Sequence, residues 1–230
     1  MSSPSPAPPI TINGIKGIVF DLDGTMIDTT PLVIKHWYAF AEEHGLDPVK
    51  ILATSHGRRT IETLGEWVPE KATPEIVDFY EQRLADETDG LTVLPGVMAL
   101  LDSIPLGKWG VCTAGTSYMA VKRLKQCHIP VPESLSTGDK VERGKPDPEG
   151  YLKATEILGV SPSDCLVFED APAGVRAGKA GGMKVIACTT THTADQLKEA
   201  GADHVVSFLT DVSVSNLGDG TMAVKIEQAV

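Results

Sequence analysis

Short apolar segments alternate with segments of helical periodicity along most of this chain. Five apolar runs predict β-strands at residues 17–20, 108–112, 165–168, 184–188 and 204–208, and a weaker run lies at 133–136. Helical patterns occupy the intervals between them, at residues 118–127, 148–158, 174–180 and 193–200. Strands that alternate with helices in this way predict an α/β fold, in which a parallel sheet carries helices on both of its faces.

The interval between residues 28 and 94 departs from this alternation. It shows no convincing strand pattern, and its three helical stretches lie at 31–44, 49–67 and 74–88. A crossover between parallel strands needs only about a dozen residues, so this interval is much longer than a connection requires. We interpret it as an insertion, which divides the chain into a core at residues 15–28 and 93–230 and an all-helical cap at residues 29–92.

Composition narrows the possible partners and the compartment. The 230 residues are 42% hydrophobic and 22% charged, which is typical of a globular protein, and the net charge of −11 argues against a nucleic-acid partner. No run approaches the roughly 20 apolar residues that a membrane-spanning helix needs. Residues 1–14, which begin with a Ser- and Pro-rich stretch, are predicted to be a disordered tail without the features of a leader peptide.

The four cysteines bear on the same question. Cys112, Cys127, Cys165 and Cys188 show no metal-binding spacing, and three of them lie in apolar runs. Buried free thiols in a reducing compartment are therefore expected rather than disulfides. Together with the composition, this predicts a cytoplasmic protein that binds neither nucleic acid nor membrane, and we expect a monomer.

The first predicted strand runs directly into the segment Asp21-Leu22-Asp23-Gly24-Thr25. Two carboxylates two residues apart at a strand end point to the same side, and the glycine lets the backbone turn sharply. This arrangement places a nucleophile next to a proton donor and suits phosphoryl transfer through an aspartyl-phosphate. An isolated Asp-x-Asp-Gly is also a common turn, but its position after a buried strand favours the functional interpretation.

Three other polar groups follow predicted strands in the same way. Thr113 ends one strand, the pair Glu169-Asp170 ends another, and Lys145 follows the weaker run. Ligands of open α/β sheets bind beyond the carboxyl ends of the strands, so these groups are predicted to converge on Asp21. Taken singly, Thr113 suits a strand-end hydroxyl, Lys145 a solvated loop lysine, and the acidic pair a helix cap. Each gains functional weight from its position relative to Asp21.

Charge indicates what else such a site must contain. Asp21, Asp23, Glu169 and Asp170 would repel one another unless a divalent cation lay among them. Carboxylate oxygens without histidine or cysteine ligands favour Mg²⁺. Lys145 would then balance the remaining negative charge of a bound phosphoryl group.

The other groups can be given roles in the same reaction. The Thr113 hydroxyl and the backbone N–H of Ala114 can donate hydrogen bonds to phosphoryl oxygens. Asp23 can protonate the leaving alkoxide and then take a proton from the water that hydrolyses an aspartyl-phosphate on Asp21. The cap would exclude water during the first of these steps.

At these residues the chain resembles the haloacid dehalogenase-like phosphatase superfamily. Residues 21–25 are similar to its first motif, Thr113 to its second, Lys145 to its third, and Glu169-Asp170 to its fourth. The resemblance implies a Rossmann-like core with a helical cap, with Asp21 as nucleophile and the Asp23 side chain as acid and base. It further implies that Mg²⁺ is bound by Asp21, by the backbone carbonyl of Asp23 and by Asp170, with Glu169 as a weaker second acid.

Three longer segments resemble the fungal glycerol-phosphate and 2-deoxyglucose-6-phosphate phosphatases in particular, and they are residues 55–60, 144–149 and 167–174. The first of these lies in the cap, where Arg59 is predicted to contact the phosphate or a hydroxyl of the substrate. His56 is a second candidate for a substrate contact, although it can also cap the following helix. Arg58 and Arg59 can alternatively be solvated surface residues.

These observations predict a Mg²⁺-dependent phosphatase that acts on a small sugar or polyol phosphate, of the glycerol phosphate or 2-deoxyglucose-6-phosphate type. Three alternatives stay open. A sugar phosphomutase of the β-phosphoglucomutase type shares every core motif. A haloacid dehalogenase keeps Asp21 but has no need of Asp23, and a non-catalytic binding protein can use the same scaffold.

Overall fold

The structure is a computed structural model that describes residues 8–230. Its strands, numbered in chain order, are β1 (Ile10–Ile15), β2 (Gly17–Phe20), β3 (Ile27–Asp28), β4 (Thr92–Val93), β5 (Trp109–Cys112), β6 (Ser134–Ser136), β7 (Cys165–Glu169), β8 (Lys184–Cys188), β9 (His204–Val206), β10 (Val212–Asn216) and β11 (Met222–Ile226). Its α-helices are α1 (Thr30–His44), α2 (Pro48–Ser55), α3 (Thr60–Trp67), α4 (Pro74–Asp86), α5 (Val97–Ser103), α6 (Ser117–Gln126), α7 (Glu149–Leu158), α8 (Pro172–Ala180) and α9 (Ala194–Glu199).

The central sheet has six strands in the order β6-β5-β2-β7-β8-β9. Every neighbouring pair in it is parallel, so all six strands end at the same edge. Strand β2 lies between β5 and β7, which places the residue after it near the middle of that edge. This sheet, with helices packed on it, confirms the predicted α/β fold.

Residues of β2 show why the sheet needs helices on both faces. All four are buried, and successive side chains enter two different hydrophobic clusters. Ile18 and Phe20 pack in one cluster with α5 and α6, whereas Val19 packs in the other with α7, α8 and α9. Each fully buried side chain of this kind contributes about 1.5–3 kcal/mol, so the two clusters explain why an unbroken apolar run forms a strand here.

Residues 29–92 contain helices α1 to α4, and we refer to this interval as the cap. It has a hydrophobic cluster of its own, which includes Trp37, Phe40, Leu64 and Tyr80. The stretch predicted as one helix at 49–67 is two helices, because the chain turns between α2 and α3 with Gly57 at a φ of +73°. The arrangement agrees with an inserted helical unit, and its independence as a domain stays a prediction.

Five strands fall outside what the sequence predicted. Strands β10 and β11 form an antiparallel hairpin, and β1 pairs with β11 in the same sheet. The predicted disordered tail is therefore wrong for residues 10–14, because Ile12 and Ile15 are buried in the core cluster beside Val224. The first seven residues of that predicted tail lie outside the described residues. A further two-residue pairing of β3 with β4, also unpredicted, joins the two ends of the cap.

Candidate active site

The predicted residues meet at the carboxyl edge of the central sheet. Asp21 follows β2, and its backbone N–H donates to the carbonyl oxygen of Phe168 at 2.9 Å, which fixes it beside the end of β7. Glu169 is the last residue of β7 and Asp170 follows it, while Thr113 directly follows β5. Parallel neighbouring strands therefore bring these side chains together, as the sequence predicts.

Lys145 reaches the same place from the loop between β6 and α7. Its ammonium group donates to Asp21 Oδ1 and to Glu169 Oε1, the latter at 2.7 Å, and its side chain is only 5% exposed. Burial alone would lower the pKa of this ammonium, but the Asp21 and Glu169 carboxylates raise the pKa well above its usual range. Lys145 therefore carries a proton and a full positive charge at neutral pH.

Glu169 is surrounded by hydrogen-bond donors. Its Oε1 accepts from the Tyr151 hydroxyl at 2.8 Å as well as from Lys145, and its Oε2 accepts from the backbone N–H groups of Asp170 at 2.8 Å and Ala171 at 3.0 Å. Gly174 makes room for this carboxylate, because a Cβ at that position would overlap it. Glu169 thus acts as a fixed anchor for Lys145, and four donors compete with any metal ion for its oxygens.

Among residues 8–230, one group of three carboxylates is compact enough to share a metal ion. Oxygen atoms of Asp21, Glu169 and Asp170 lie within 4.8 Å of one another, and all three residues are buried. Burial raises the pKa of Asp21 well above its usual value, and burial together with the neighbouring Glu169 raises that of Asp170 to about 7. A divalent cation would relieve this unfavourable concentration of negative charge.

Asp23 lies outside that group and has different partners. Its Oδ1 accepts from the Thr29 hydroxyl at 2.8 Å, and its Oδ2 accepts from the Thr113 hydroxyl at 3.4 Å. Burial raises the pKa of Asp23, which favours the protonated form of the carboxyl group. The Thr113 oxygen in turn accepts from the backbone N–H of Gly115 at 3.1 Å. Two threonine hydroxyls therefore hold the Asp23 carboxyl group, and its burial favours the protonated form.

A cavity of about 90 Å³ lies between the sheet edge and the cap. Its core side includes five residues that the sequence analysis selected, namely Asp21, Asp23, Thr113, Ala114 and Asp170. Its cap side includes His36, Ser55, His56, Arg58, Thr60, Tyr80 and Glu81. The turn between α2 and α3 therefore delivers His56 to the same cavity as the predicted nucleophile.

The imidazoles of this cap side are uncharged at neutral pH. Burial, with a smaller contribution from Arg83, lowers the pKa of His36 to about 4. Burial and the neighbouring His192 lower the pKa of His56. The cap therefore offers neutral hydrogen-bonding groups to the cavity rather than cationic histidines.

Arg59, the cap residue that the sequence analysis favoured for substrate, lies elsewhere. Its guanidinium binds the Glu62 carboxylate and also donates to the carbonyl oxygens of Val141 at 2.8 Å and Glu142 at 3.0 Å. The structure thus brings His56 and Arg58 to the cavity, whereas it commits Arg59 to a contact between the cap and the core. Arg59 does not line the cavity in this arrangement, and its contact with the substrate stays a prediction.

Several residues of the site were not predicted. Thr25 and Thr191 donate from their hydroxyls to the Asp170 carboxylate, the Thr25 bond measuring 3.0 Å. Glu81, on cap helix α4, is 2% exposed and accepts from the Thr60 hydroxyl and from the backbone N–H of Thr116, both at 2.7 Å. The position of Thr25 directly after Asp23-Gly24 is a sequence signal that could have identified it. No such signal marks Glu81, which is a buried acid on an otherwise amphipathic helix.

Within residues 8–230, no helix is both long enough and apolar enough to cross a bilayer.

Comparison with known protein families gives a match over most of the core. A family model described as a haloacid dehalogenase-like hydrolase matches residues 15–182. Hexitol phosphatase A of Escherichia coli (strain K12) is 37% identical over 215 residues, which cover 91% of this chain and 99% of that protein.

Two proteins of Saccharomyces cerevisiae (strain ATCC 204508 / S288c) are similar to the same extent. 2-Deoxyglucose-6-phosphate phosphatase 2 is 34% identical, with 90% of this chain and 94% of that protein covered. Glycerol-1-phosphate phosphohydrolase 1 is 35% identical, with 92% and 90% covered. Among solved structures, a hydrolase from Pseudomonas syringae superposes with a TM-score of 0.74 at 23% identity, covering 85% of this chain and 95% of that one. The predicted resemblance to the fungal phosphatases is confirmed, and the chain is also similar to a bacterial hexitol phosphatase.

Proposed function

This chain belongs to the haloacid dehalogenase-like hydrolases, and we propose that it hydrolyses the phosphate ester of a small sugar or polyol through an aspartyl-phosphate on Asp21, with Mg²⁺ as cofactor. Its class is that of the phosphoric monoester hydrolases. The substrate, the metal and the intermediate are the parts that we propose.

One observation carries this proposal. The Asp21 carboxylate lies between a buried ammonium group on one side and a cavity on the other, and the cavity is lined by Asp23, Thr113 and Asp170. A nucleophile, a proton donor, a hydroxyl donor and a fixed cation thus surround one small space, which is the set of groups that phosphoryl transfer requires.

Asp21 is the nucleophile of this proposal. Its Oδ1 accepts a hydrogen bond from Lys145, which leaves the other oxygen to attack the phosphorus atom of the ester. A bond then forms between that oxygen and phosphorus as the bond from phosphorus to the substrate alkoxide breaks. The Thr113 hydroxyl and the Ala114 backbone N–H border the cavity beside Asp21 and donate to the phosphoryl oxygens in this step.

Asp23 handles the protons. Burial raises the pKa of Asp23, which favours the protonated form that the leaving alkoxide needs, and proton transfer to the alkoxide leaves Asp23 ionised. The carboxylate then takes a proton from the water that attacks the aspartyl-phosphate, so the enzyme returns to its starting protonation state. The Thr29 hydroxyl, 2.8 Å from Asp23 Oδ1, holds the side chain in place and favours its ionised form between the two steps.

The donor set fits Mg²⁺. Asp21, Glu169 and Asp170 present carboxylate oxygens within 4.8 Å of one another, without a histidine or thiol among them, and hard cations prefer such ligands. Asp21 and Asp170 would hold the ion, with the backbone carbonyl of Asp23 as the further ligand that the resemblance implies. Because four protein donors already surround Glu169, we assign it to the anchoring of Lys145. When bound, the metal supplies positive charge that screens the phosphoryl group from the acidic site.

The size and polarity of the cavity support a small, hydroxylated substrate. A volume of about 90 Å³ suits a short polyol or sugar chain better than a nucleotide. The neutral imidazoles of His36 and His56 and the Thr60 hydroxyl lie on its cap side, where they can bind substrate hydroxyls. The names of the three relatives, a hexitol, a deoxyhexose and a glycerol phosphatase, agree with this class.

Charges on the cap side favour hydrolysis over the phosphomutase alternative. A mutase that works through a phospho-enzyme passes through a bisphosphate, and its second phosphate needs a cation. The two arginines that line the cavity are already engaged: Arg58 of the cap binds Glu66 at 2.7 Å, and Arg123 of core helix α6 donates to the carbonyl oxygen of Leu84 at 2.6 Å. A monophosphate makes no such demand on the cap.

The compartment and the assembly remain parts of the proposal. All four cysteines are buried free thiols, as predicted, which supports a reducing and therefore cytoplasmic location. We propose a monomer that acts on a free metabolite.

Phosphate release from a panel of esters tests the function. The panel contains p-nitrophenyl phosphate, glycerol phosphates, hexitol phosphates, 2-deoxyglucose 6-phosphate, phosphoglycolate and nucleotides, with glucose 1-phosphate as the mutase substrate. We expect release from the sugar and polyol esters, abolition by EDTA and recovery with Mg²⁺. Asp21→Asn is expected to lower kcat by at least about a thousandfold, whereas Asp102→Asn on the exposed surface of α5 has no effect. Conversion of glucose 1-phosphate to the 6-phosphate without phosphate release would establish the mutase instead.

A further inference from the structure

A pair of cap residues grips the core loop that carries Lys145. Arg59 precedes helix α3 and Glu62 lies in its first turn, and the two side chains form an ion pair at 2.6 Å. The Arg59 guanidinium donates to the carbonyl oxygens of Val141 at 2.8 Å and Glu142 at 3.0 Å. Glu62 Oε1 accepts from the backbone N–H of Gly144 at 3.1 Å. We call this pair, Arg59 and Glu62, the cap clasp.

The loop is shaped to receive the cap clasp. A Cβ at Gly144 would lie 2.6 Å from Glu62 Oε1 and 2.8 Å from Arg59 Nε, distances that side-chain atoms do not tolerate. Gly144 therefore leaves the space into which the two cap side chains fit, which indicates a built contact rather than a chance encounter of surface charges.

The opposite side of the loop is held by the core. The Glu149 carboxylate on α7 accepts from the backbone N–H groups of Glu142 at 2.9 Å and Arg143 at 3.0 Å. The cap clasp binds carbonyl groups and the Gly144 N–H of the same segment, so the backbone that leads into Lys145 is fixed from two directions. Of these two restraints, only the cap clasp depends on the position of the cap.

We propose that Arg59 and Glu62 are positioning residues, which couple the seating of the cap on the core to the placement of the Lys145 ammonium against Asp21 and Glu169. This inference rests on the proposed function for its catalytic consequence. Gly144, the residue that Glu62 binds, is the immediate neighbour of Lys145, so a shift of this loop is transmitted to the lysine through a single peptide unit. The cap thereby affects the phosphoryl site through the Lys145 loop, without a contact between Arg59 and the substrate.

The low exposure of the cap clasp strengthens its interactions. The Arg59 and Glu62 side chains are 14% and 25% exposed, so water screens them far less than the ion pairs of the free surface. A catalytic group displaced by about 1 Å can lose about a hundredfold in rate. Loss of the cap clasp is therefore expected to lower kcat/KM by about ten- to a hundredfold if it frees the Lys145 loop.

Two variants separate positioning from helix capping. Glu62 also accepts from the Arg59 backbone N–H at 3.4 Å and so caps α3. Arg59→Met removes the donors to the loop but leaves this cap in place. Glu62→Gln keeps an acceptor for the cap and for Gly144, and it is expected to retain more activity than Glu62→Ala. Glu66→Gln is the matched control, because Glu66 lies one turn further along α3 and pairs with Arg58 at 2.7 Å on the cap surface.

The decisive readout is the chemical accessibility of Lys145, which does not depend on turnover. The full-length protein is labelled briefly with acetic anhydride, and peptide mass spectrometry compares Lys145 with Lys179, a core lysine in a surface ion pair with Asp203. We expect Arg59→Met and Glu62→Ala to raise the labelling rate of Lys145 about tenfold relative to Lys179, and Glu66→Gln to leave it unchanged. Wild-type labelling of Lys145 in Arg59→Met would overturn the coupling.

Kinetics with p-nitrophenyl phosphate complete the test. We expect kcat/KM to fall in Arg59→Met and Glu62→Ala in the same order as Lys145 labelling rises. A fall in kcat/KM with wild-type labelling would mean that Arg59 acts on the substrate directly and would overturn the inference. If the wild-type protein cleaves no phosphate ester, the proposed function fails while the labelling experiment still decides whether the cap clasp holds Lys145.

Discussion

Removal of the buried ammonium group by Lys145→Met tests how the acidic site is stabilised. Methionine keeps most of the length of the lysine stem, so the substitution removes charge with little change in volume. It leaves Asp21 and Glu169, both buried, without the cation that now bonds to them. The Tyr151 hydroxyl and two backbone N–H groups remain on Glu169, whereas Asp21 loses its charged donor.

The expected loss of stability is large for one substitution. Breaking a buried ion pair by removing one partner typically destabilises a protein by about 3–5 kcal/mol. For a chain of this length, 1 kcal/mol shifts the thermal midpoint by about 2–4 °C, so the midpoint should fall by about 6–20 °C. Burial already raises the pKa of Asp21, and loss of the ammonium raises it further. The Asp21 carboxylate of the variant therefore takes up a proton at a higher pH than in the wild type, and the difference in stability should shrink between pH 8 and pH 5.

Urea unfolding followed by circular dichroism measures this loss at pH 8, 6.5 and 5, each with EDTA and with Mg²⁺. Mg²⁺ is expected to return part of the stability, because it binds the folded acidic site and not the unfolded chain. Lys35→Met is the control, since Lys35 forms an exposed pair with Glu87 at 2.9 Å whose loss should cost less than about 1 kcal/mol. If Lys145→Met loses no more stability than Lys35→Met at any pH, the reasoning about the buried charges is refuted.

Three further predictions concern stability and reactivity. The pKa of His36 is about 4 in the folded protein, below its ordinary value of 6.5. As the pH falls from 6.5 towards 4, the unfolded chain takes up this proton before the folded protein does, so stability is lost in that range. His36→Phe should lose less stability between pH 7 and 4.5 in urea titrations, and an unchanged pH dependence would contradict the burial argument. Gly174→Ala should destabilise the protein by about 1–3 kcal/mol, because the new Cβ would overlap the Glu169 carboxylate. Gly65→Ala, within helix α3, should stabilise it by about 0.5–1 kcal/mol, because the nearest atom to the new Cβ is 3.9 Å away. Thermal melts that rank the two variants the other way would exclude this explanation. Burial raises the pKa of all four cysteine thiols, so a disulfide reagent at pH 8 should find almost no reactive thiol in the native protein and all four in denaturant, and rapid native labelling would show that the core is open.

The central sheet could be predicted because its middle strands leave few alternatives. Residues of β2 and β7 are buried on both faces, which requires unbroken apolar runs, and such runs are easy to recognise. The position of the acids follows from the same fact, since a run that ends in Asp21 or Glu169 can only deliver it to the carboxyl edge of a parallel sheet.

The second sheet was missed although the sequence contains a signal for it. Val212 and Val214 alternate with serines before a Gly-Asp-Gly turn at 218–220, and the strand after the turn places Met222 and Val224 on the same face. That pattern is typical of a hairpin. Strand β1 has a weaker signal, because Ile10 and Ile12 directly follow a Pro-rich stretch that resembles a disordered tail. Its pairing with β11 is a long-range contact that local sequence does not reveal.

The cap was the hardest part to predict, because the type of a residue does not determine the direction in which its side chain points. Arg58 and Arg59 are adjacent and chemically alike, yet one lines the cavity while the other reaches the core loop. Gly57, at a φ of +73°, turns the chain just before them. Glu81 shows the same limit, since its role depends on the Thr116 backbone in a different part of the fold.

Chemical trapping of the phospho-enzyme tests the central proposal most directly. The enzyme is mixed with a rapidly cleaved ester in Mg²⁺, quenched in acid and treated with borohydride, which reduces an aspartyl-phosphate to homoserine. We predict homoserine at position 21 in the peptide map of the wild-type protein, and none when substrate is omitted. Reduction at another carboxylate, or its absence in enzyme quenched while phosphate is being released rapidly, would contradict Asp21 as the nucleophile.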